Sequence, residues 1–423
     1  MAWFDEIVAE RAETFARPVL ALVENGPRWR HRRVESIEPL SATSVRRRVS
    51  LDFTVPPELH EGLRMPVTAG APVAGDQWLV PLGWLARRPL VSFDLRDSEG
   101  NSVPLLLASQ TAQITRHLLL ASATEAGLDP ADAERTERTL DVVIAASAAT
   151  APSDPPALVA QAAGLGLGPD FTALTKASAL GFLLVAVLPR VEGRQVVKWQ
   201  TDEVRRRRIA RSGPVHVDVE VASINEAAST HVELDLPDPL LADSFRLVDR
   251  RGDRMVPLPA GERQHSTSEE RPRLMLQPVA QTEDPYVRAD VLIAANEFLA
   301  PAFVLASLAV FILGLGLASE LHELLPRQRA TAPSVLLGAF SVGFGLFLRV
   351  EENQFVRALL ADSRAALGAT AGALAVAAIP LALRLASPWV LWTWIGACAV
   401  AAVAAFVILW TIMRLTQAGR RFG

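Results

Sequence analysis

The sequence predicts an α+β membrane protein in which a β-rich module precedes a bundle of four transmembrane helices. From Phe298 to Gly423 the chain has only 5 of its 46 acidic and 9 of its 42 basic residues, too few for an ordinary soluble surface. Before Phe298, apolar and polar residues alternate repeatedly, as is typical of strands. A central stretch of helical periodicity separates these strands into two groups, which favours an α+β module.

Four apolar segments in the C-terminal part meet or approach the roughly 20 residues that a helix needs to cross a bilayer. They contain no charged residue, and tryptophans lie near both ends of the last one, as interfacial anchoring predicts. We therefore predict four transmembrane helices within residues 298–413, followed by a tail over 414–423. The segments are 298–318, 333–348, 365–383 and 389–413.

Basic residues near the ends of these segments are distributed unequally between the two sides of the membrane. The richer side is the side of the module, so the positive-inside rule places both termini in the cytoplasm. The N-terminus does not have the pattern of a signal peptide. With an arginine-rich composition, this predicts a multi-pass protein of a bacterial inner membrane. The richer side has Arg288, Arg349, Arg357, Arg364, Arg414, Arg420 and Arg421, and the other has Arg327, Arg329 and Arg384.

The module divides into four predicted parts. Residues 1–33 form an amphipathic helix, broken near Pro18, and a basic linker. Residues 34–108 form a first β-rich subdomain, 109–178 a helical insert, and 179–290 a second β-rich subdomain.

Alternation and periodicity predict the individual elements within these parts. Strands are predicted at 48–55, 77–84, 90–96, 103–108, 181–188, 195–201, 215–223, 231–236, 244–248, 255–258 and 273–279. Helices are predicted at 109–128, 130–150, 155–165 and 171–178, with a short interfacial helix within 349–364.

An internal repeat relates the two β-rich subdomains. Residues 93–105 and 245–258 share a Phe-x-Leu-x-Asp-x-x-Gly pattern followed by Val-Pro-Leu, and residues 49–53 resemble 232–236. In each copy an aspartate opens a turn and a glycine three residues later can adopt positive φ. We predict two related β-sandwich-like subdomains, with one sheet-rich domain built from both halves as the alternative.

Small residues recur at helix-packing spacing in the apolar segments. Gly368 and Gly372 form a GxxxG pattern, and Ser341 and Gly345 are also four residues apart. Packing within one bundle is favoured over a dimer contact, although a homo-oligomer stays open as an alternative.

Catalytic, cofactor-binding and metal-binding residues cannot be nominated from the sequence. No two of the seven histidines are three or four residues apart, and Gly164–Pro169 lacks the lysine of a phosphate loop. His216 and His231 lie in adjoining predicted strands and could meet across a hairpin, and Asp52 and Asp235 occupy equivalent repeat positions. Exposed strand positions explain the two histidines equally well, and a solvated sheet face explains the two aspartates better than a catalytic pair does. The expectation is therefore a protein without a cofactor or a metal.

Clustered arginines are the strongest polar feature. Because the module is tethered at the membrane, anionic headgroups are within reach, and each basic residue near the surface contributes about 1 kcal/mol. A solvated turn, partly balanced by Asp202 and Glu203, is the simpler interpretation of the same arginines. The module's excess of acidic residues argues against nucleic-acid binding. The cluster is Arg205, Arg206, Arg207, Arg208 and Arg211.

Together these features favour a non-enzymatic integral membrane protein whose cytosolic module is a binding, sensing or scaffold domain with an unidentified protein partner. One alternative is an oligomeric transport- or channel-associated subunit, which the apolar interior of the segments disfavours. Another is a membrane-bound hydrolase acting on lipid or envelope precursors, which the missing catalytic motifs disfavour.

Overall fold

A computed structural model provides the fold of most of the chain. It describes residues 2–41, 43–65, 76–86, 91–129, 133–148, 155–204, 215–221, 226–238, 240–251, 254–257, 265–266, 272–276, 285–293, 299–318, 353–383, 385 and 387–417. We call the described residues before Leu299 the module, and the helices after it the apolar helices.

The strands of the module form two groups separated by four successive helices, much as the residue patterns predict. The strands are β1 (Arg30–Pro39), β2 (Ser44–Phe53), β3 (Arg64–Met65), β4 (Gln77–Ala86), β5 (Val91–Arg96), β6 (Gly181–Pro189), β7 (Gln195–Val204), β8 (Val215–Glu220), β9 (Thr230–Leu234), β10 (Leu240–Arg251), β11 (Arg254–Pro257), β12 (His265–Ser266), β13 (Arg273–Leu276) and β14 (Pro285–Ile293). The helices are α1 (Ala2–Glu24), α2 (Gly26–Trp29), α3 (His60–Leu63), α4 (Ala108–Glu125), α5 (Ala133–Ala148), α6 (Pro155–Ala163) and α7 (Pro169–Leu180).

Strands from both halves of the module share one sheet. A seven-stranded sheet has the order β12-β13-β9-β1-β2-β7-β5, beside a four-stranded sheet, β11-β10-β14-β8, and a three-stranded sheet, β3-β4-β6. The prediction of two separate sandwich-like subdomains is not confirmed, and the alternative of one domain built from both halves describes this arrangement. Its cause is β1, which pairs antiparallel with β2 and parallel with β9. The start of β1 lies within residues 1–33, which the sequence predicts as a helix and a basic linker.

The N-terminal helix differs from its prediction. α1 continues through Pro18 without a break, because Phe15, Val19 and Leu22 bury its apolar face and offset the backbone hydrogen bond that proline removes. Pro18 itself packs against Gly62, where an added Cβ would lie 2.4 Å from the proline Cγ. α1 joins α4, α5, α7 and the three-stranded sheet in one apolar core.

Around the first copy of the repeat, the turn is confirmed but the strand predicted at 103–108 is wrong. Asp97 Oδ1 accepts hydrogen bonds from the backbone N–H groups of Glu99 and Asn101, and Gly100 adopts a φ of +91°. The following segment then crosses between two sheets. Val103 N donates to Leu95 O in β5, and Leu106 N donates to Val185 O in β6. Bonding to two different sheets prevents a continuous ladder with either.

Among the described residues, three C-terminal helices are long and apolar enough to cross a membrane. They are α8 (Leu299–Ala318), α10 (Ala361–Ala382) and α11 (Ser387–Gln417), with a short helix α9 (Gln354–Leu359) before α10. α9 lies within the predicted interfacial segment. The segment predicted at 333–348 falls outside the described residues, so the count of four stays a prediction.

The apolar helices pack directly on the module. The start of α8, one face of α9, the start of α10 and the end of α11 share one buried apolar cluster with β8, β9, β10, β13 and β14. The opposite halves of α8, α10 and α11 pack on one another in a separate cluster. α8 and α10 therefore lead away from the module, and α11 leads back to it.

Candidate functional site

A buried network of arginines and glutamates lies where the three sheets meet. Glu35 on β1 is fully buried and accepts hydrogen bonds from Arg33 Nε at 2.7 Å and from Arg47 Nη1 on β2. Arg47 also donates to Glu203 Oε1 on β7, at 2.8 Å, and to the backbone carbonyl of Glu220 at the end of β8, at 2.9 Å. Arg47 thus connects the seven-stranded sheet to the four-stranded one, which also shares an apolar cluster with the apolar helices.

Arg30 and Arg33 share one carboxylate at the opposite end of this network. Glu226 Oε2 lies 3.3 Å from Arg33 Nη1 and 3.7 Å from Arg30 Nη1. Arg30 is only 2% exposed, and its Nη2 donates to the Pro81 carbonyl at 2.9 Å. Burial lowers the pKa of Arg30 to about 10, an effect that Glu226 opposes and Arg33 reinforces.

Glycines allow Glu226 to reach these arginines. A Cβ added to Gly26 would lie 2.6 Å from the Glu226 carbonyl oxygen, and one added to Gly83 would lie 2.9 Å from Glu226 Oε2. Gly83 also has a φ of +148°, at a β-bulge of β4. The segment that contains Glu226 and precedes β9 therefore packs closely between α2 and β4. The network thus connects these three parts of the module.

A concave polar surface lies on the outer face of the seven-stranded sheet, opposite the network. Four strands form its floor, the turn after β5 forms one wall, and it encloses about 440 Å³. We call this surface the polar basin. Its lining residues are Val34, Ser36, Arg48, Val49, Ser50, Asp94, Arg96, Asp97, Ser98, Glu99, Gly100, Lys198, Trp199 and Gln200.

A second polar cluster lies on the four-stranded sheet. Asp290 on β14 is 6% exposed and accepts hydrogen bonds from His216 Nδ1 at 2.5 Å, Ser244 Oγ at 2.5 Å and Arg246 Nη2 at 3.1 Å. Burial opposes ionisation, but the two hydrogen bonds from His216 and Ser244 and the charge of Arg246 outweigh it and lower the pKa of Asp290. Beside it, Arg288 holds Asp218 with two hydrogen bonds at 2.6 and 2.9 Å.

This cluster does not have the geometry of a nucleophilic triad. The Ser244 hydroxyl donates to Asp290, and so does His216, so the base does not receive the serine proton. Sequence reasoning missed the cluster because Ser244, Asp290 and His216 are brought together only by the pairing of β10, β14 and β8.

The two residue pairs suggested by the sequence do not form. His216 lies in the four-stranded sheet and His231 in the seven-stranded one, where burial and then the charge of Arg32 lower the pKa of His231. Asp52 pairs opposite Arg32 on β1, whereas Asp235 bonds near Ile37, about five residues along the same strand. Each aspartate has its own arginine neighbour, Arg194 for Asp52 and Arg48 for Asp235. Asp52 is also buried, not solvated as its strand position suggested.

The arginine cluster over 205–211 lies outside the described residues, but both of its flanking strands are described. β7 ends at Val204, paired with Ser44 at the β1–β2 hairpin, and β8 begins at Val215, paired with Val291 near the end of β14. The same hairpin contacts the apolar helices, because Asn353 Nδ2 donates to the Pro39 carbonyl at 3.2 Å. We call this edge of the module, formed by Pro39, Ser44, Val204, Val215 and Ile293, the helix-facing rim.

Among the described glycines of the apolar helices, Gly316 has the closest helix contact, and it belongs to neither of the two predicted small-residue pairs. A Cβ added to Gly316 of α8 would lie 2.3 Å from Trp394 Cζ3, and the Trp394 indole N–H donates to the Ala377 carbonyl at 3.1 Å. Gly368 is half-buried, and Gly372 is exposed, with no atom within 4 Å of an added Cβ. Ser341 and Gly345 fall outside the described residues.

Within the described part of the chain, histidine, cysteine, aspartate and glutamate side chains form no group of three or more suited to a metal ion. Comparison with known proteins finds no matching family and no matching curated sequence. The described structure is that of a mixed α/β protein with three helices long and apolar enough to cross a membrane.

Proposed function

We propose that this chain is a non-enzymatic integral membrane protein whose β-rich module is a binding or sensing domain fixed rigidly to the cytoplasmic ends of its transmembrane helices. The observation that carries the proposal is the apolar cluster shared by strands and helices. It includes Val287 and Val291 of β14, Leu299 of α8, Phe355 of α9 and Ile408 of α11, all of them buried.

Rigid attachment follows from the chemistry of this cluster. Fully burying one large apolar side chain contributes about 1.5–3 kcal/mol, so separating the strands from the helices would expose several such side chains at once. A scaffold hanging on a flexible linker needs no such contact. A sensing domain needs this apolar contact, because a conformational change in the module can reach the helices only through elements that pack on one another.

The direction of the three described helices supports a fourth crossing. α8 leads away from the module, and α10 starts beside the module. The chain between Ala318 and Asn353 therefore has to return over about the length of α8. The apolar segment at 333–348 supplies about the required length. We place both termini in the cytoplasm of a bacterium, on the unequal distribution of arginines.

Anionic lipid is the partner that we propose for Arg205, Arg206, Arg207, Arg208 and Arg211. The strands on either side of this segment end and begin at the helix-facing rim, which lies next to the starts of α8 and α10. Arg357 on α9 is exposed at the same level of the molecule. Basic side chains at this level gain about 1 kcal/mol each from an anionic leaflet.

Rigid attachment is tested by measuring the distance between the module and the helices. Spin labels at Ser98→Cys, in the turn after β5, and Arg357→Cys, on α9, are introduced in a Cys398→Ala background and measured in nanodiscs. Both sites are exposed, so the labels leave the core unchanged. A single narrow distance distribution is expected. A broad distribution spanning tens of ångströms would show a flexible tether and contradict the proposal.

Lipid contact is tested by the thermal stability of the full chain in nanodiscs of zwitterionic and of anionic lipid. We expect anionic lipid to stabilise the protein at low salt, and alanine at Arg205 to Arg208 to remove most of that gain. The matched control is alanine at Arg135 and Arg138, two exposed arginines of α5. Equal loss in both variants would show a general charge effect and refute the lipid contact.

A further inference from the structure

Cross-strand pairing places two cations next to each other on the floor of the polar basin. Lys198 of β7 pairs directly with Ser50 of β2 on one side and with Arg96 of β5 on the other. Directly opposite like charges are unfavourable in a sheet. Unless an anionic group compensates the positive charges of Lys198 and Arg96, their repulsion destabilises this part of the sheet.

Of the three carboxylates that line the basin, Asp94 and Asp97 are engaged elsewhere, and Glu99 Oε2 accepts a hydrogen bond from Asn101 Nδ2 at 3.3 Å. Asp94 Oδ2 binds Arg96 Nε at 2.7 Å. Both oxygens of Asp97 accept hydrogen bonds within the turn, which outweigh burial and lower the pKa of this carboxyl. Among the described side chains, no carboxylate forms an ion pair with Lys198, whereas Arg96 pairs with Asp94 and Arg48 pairs with both Glu38 and Asp235.

Residues with hydroxyl and amide groups occupy the sheet positions around the exposed Lys198. Ser50 lies beside Lys198, and Ser36 and Gln200 lie in the adjoining cross-strand row with Arg48. Hydrogen bonds from charged donors to an oxyanion are about twice as strong as hydrogen bonds between neutral groups, and hydroxyl donors help to orient the oxyanion. The turn after β5 forms a wall over this floor and confines a ligand to one side.

We propose that the polar basin binds a small solute through an oxyanion group, phosphate or carboxylate, held by the ammonium of Lys198 and the hydroxyl of Ser50. This inference rests on the proposed role of the module as a binding domain and names the chemistry of its ligand. A lipid headgroup is a poor occupant. Lys198 lies six residues from Val204 along β7, about 20 Å from the helix-facing rim.

The composition of the chain makes a direct test practical, because its only lysines are Lys176 and Lys198. Reductive methylation with ¹³C-formaldehyde labels both lysines and the N-terminal amine while keeping the positive charges. Lys198→Arg assigns the signals by removing one of them. The full chain is held in nanodiscs, and inorganic phosphate is titrated at constant ionic strength, with citrate as a second probe.

The expected result is a saturable shift of the Lys198 signal with no change at Lys176, an exposed lysine of α7 that serves as the internal control. Ser50→Ala should weaken phosphate binding by about tenfold, since one hydrogen bond to a charged group contributes about 1.5 kcal/mol. Parallel, non-saturating shifts at both lysines would mean an adventitious ion only and would overturn the proposal.

A further arm separates free solute from lipid. Anionic lipid without added phosphate should leave the Lys198 signal unchanged, and a shift there would assign the basin to headgroups instead. Failure of this experiment leaves the spin-label distance between module and helices unaffected, so the two proposals fail separately.

Discussion

The side-chain amide of Asn353 donates a hydrogen bond to the backbone carbonyl of Pro39, 3.2 Å away and 314 positions earlier in the chain. The same side chain caps α9, because its Oδ1 accepts from the Phe355 N–H at 2.8 Å. One residue thus fixes the start of a helix and connects it to the β1–β2 hairpin. This bond lies at the periphery of the apolar cluster that joins the module to the helices.

Substitutions of Asn353 should separate these two roles. Asn353→Ala loses the cap and the bond to Pro39, and we expect it to cost about 1–2 kcal/mol. Asn353→Asp keeps an acceptor for the cap but loses the amide donor. Hydrogen exchange at Leu40, whose N–H bonds Ser44 in the hairpin, should therefore increase in both variants. Unchanged exchange in Asn353→Asp would show that the bond to Pro39 does not hold the hairpin.

Two nearby glycines of α8 should respond very differently to alanine. At Gly316 the new methyl group would lie 2.3 Å from the Trp394 ring, whereas at Gly314 it would meet no atom within 4 Å. Gly316→Ala should therefore cost about 1–3 kcal/mol through overpacking between α8 and α11. Gly314→Ala should be neutral or slightly stabilising. Thermal unfolding in detergent, followed by tryptophan fluorescence, distinguishes them, and equal melting temperatures would contradict this packing.

Gly83 should be less tolerant of alanine than Gly100, although both have positive φ. Alanine at Gly100 meets only backbone strain, since nothing lies within 4 Å of the added Cβ. At Gly83 it also lies 2.9 Å from Glu226 Oε2 and displaces the carboxylate shared by Arg30 and Arg33. We expect a cost of about 1 kcal/mol at Gly100 and at least about 2 kcal/mol at Gly83. The measurement is the urea midpoint of each variant.

The stability contributed by Asp290 should depend on pH. Its pKa is lower in the folded protein than in the unfolded chain, so the ionised form stabilises the fold above the ordinary value of 3.8. That contribution is lost as pH falls below this value towards the lowered folded pKa. The melting-temperature difference between the wild type and Asp290→Asn should therefore be largest near neutral pH and shrink below about pH 4.

The exposed carboxylate Asp141 of α5 supplies the control for this series. Asp141→Asn should differ little from the wild type at neutral pH, since exposed ion pairs contribute about 0–1 kcal/mol. A constant difference for Asp290→Asn between pH 7 and pH 3 would show that the carboxylate charge is not what stabilises the cluster.

Element positions were largely predictable, because alternation and helical periodicity are local properties of the chain. β2, β4, β6 and β7 lie where alternation placed them, α4 where periodicity did, and α8 where the long apolar segment did. β1 escaped detection since its inner face carries Arg33 and Glu35, and a buried charged strand has no apolar alternation. β14 was not predicted as a strand, although only five residues separate its end from the start of α8.

The candidate sites were much less predictable. Lys198, Arg96 and Ser50 come together through cross-strand register, and Asp290 meets His216 across 74 positions of sequence. Local patterns contain no information about which strands pair. Only the arginine cluster at 205–211 was evident beforehand, because its signal is charge density alone.

By itself, the sequence determined that the C-terminal part is apolar helix and that the preceding part mixes strands with helices, since both follow from the spacing of apolar residues. Tertiary structure decided that the two related halves share one sheet through β1. It also decided that this module packs against the apolar helices instead of being attached to them only by a linker. The physical reason is that side chains such as Phe355 and Val291 are buried only when distant segments meet, and no local pattern specifies that meeting.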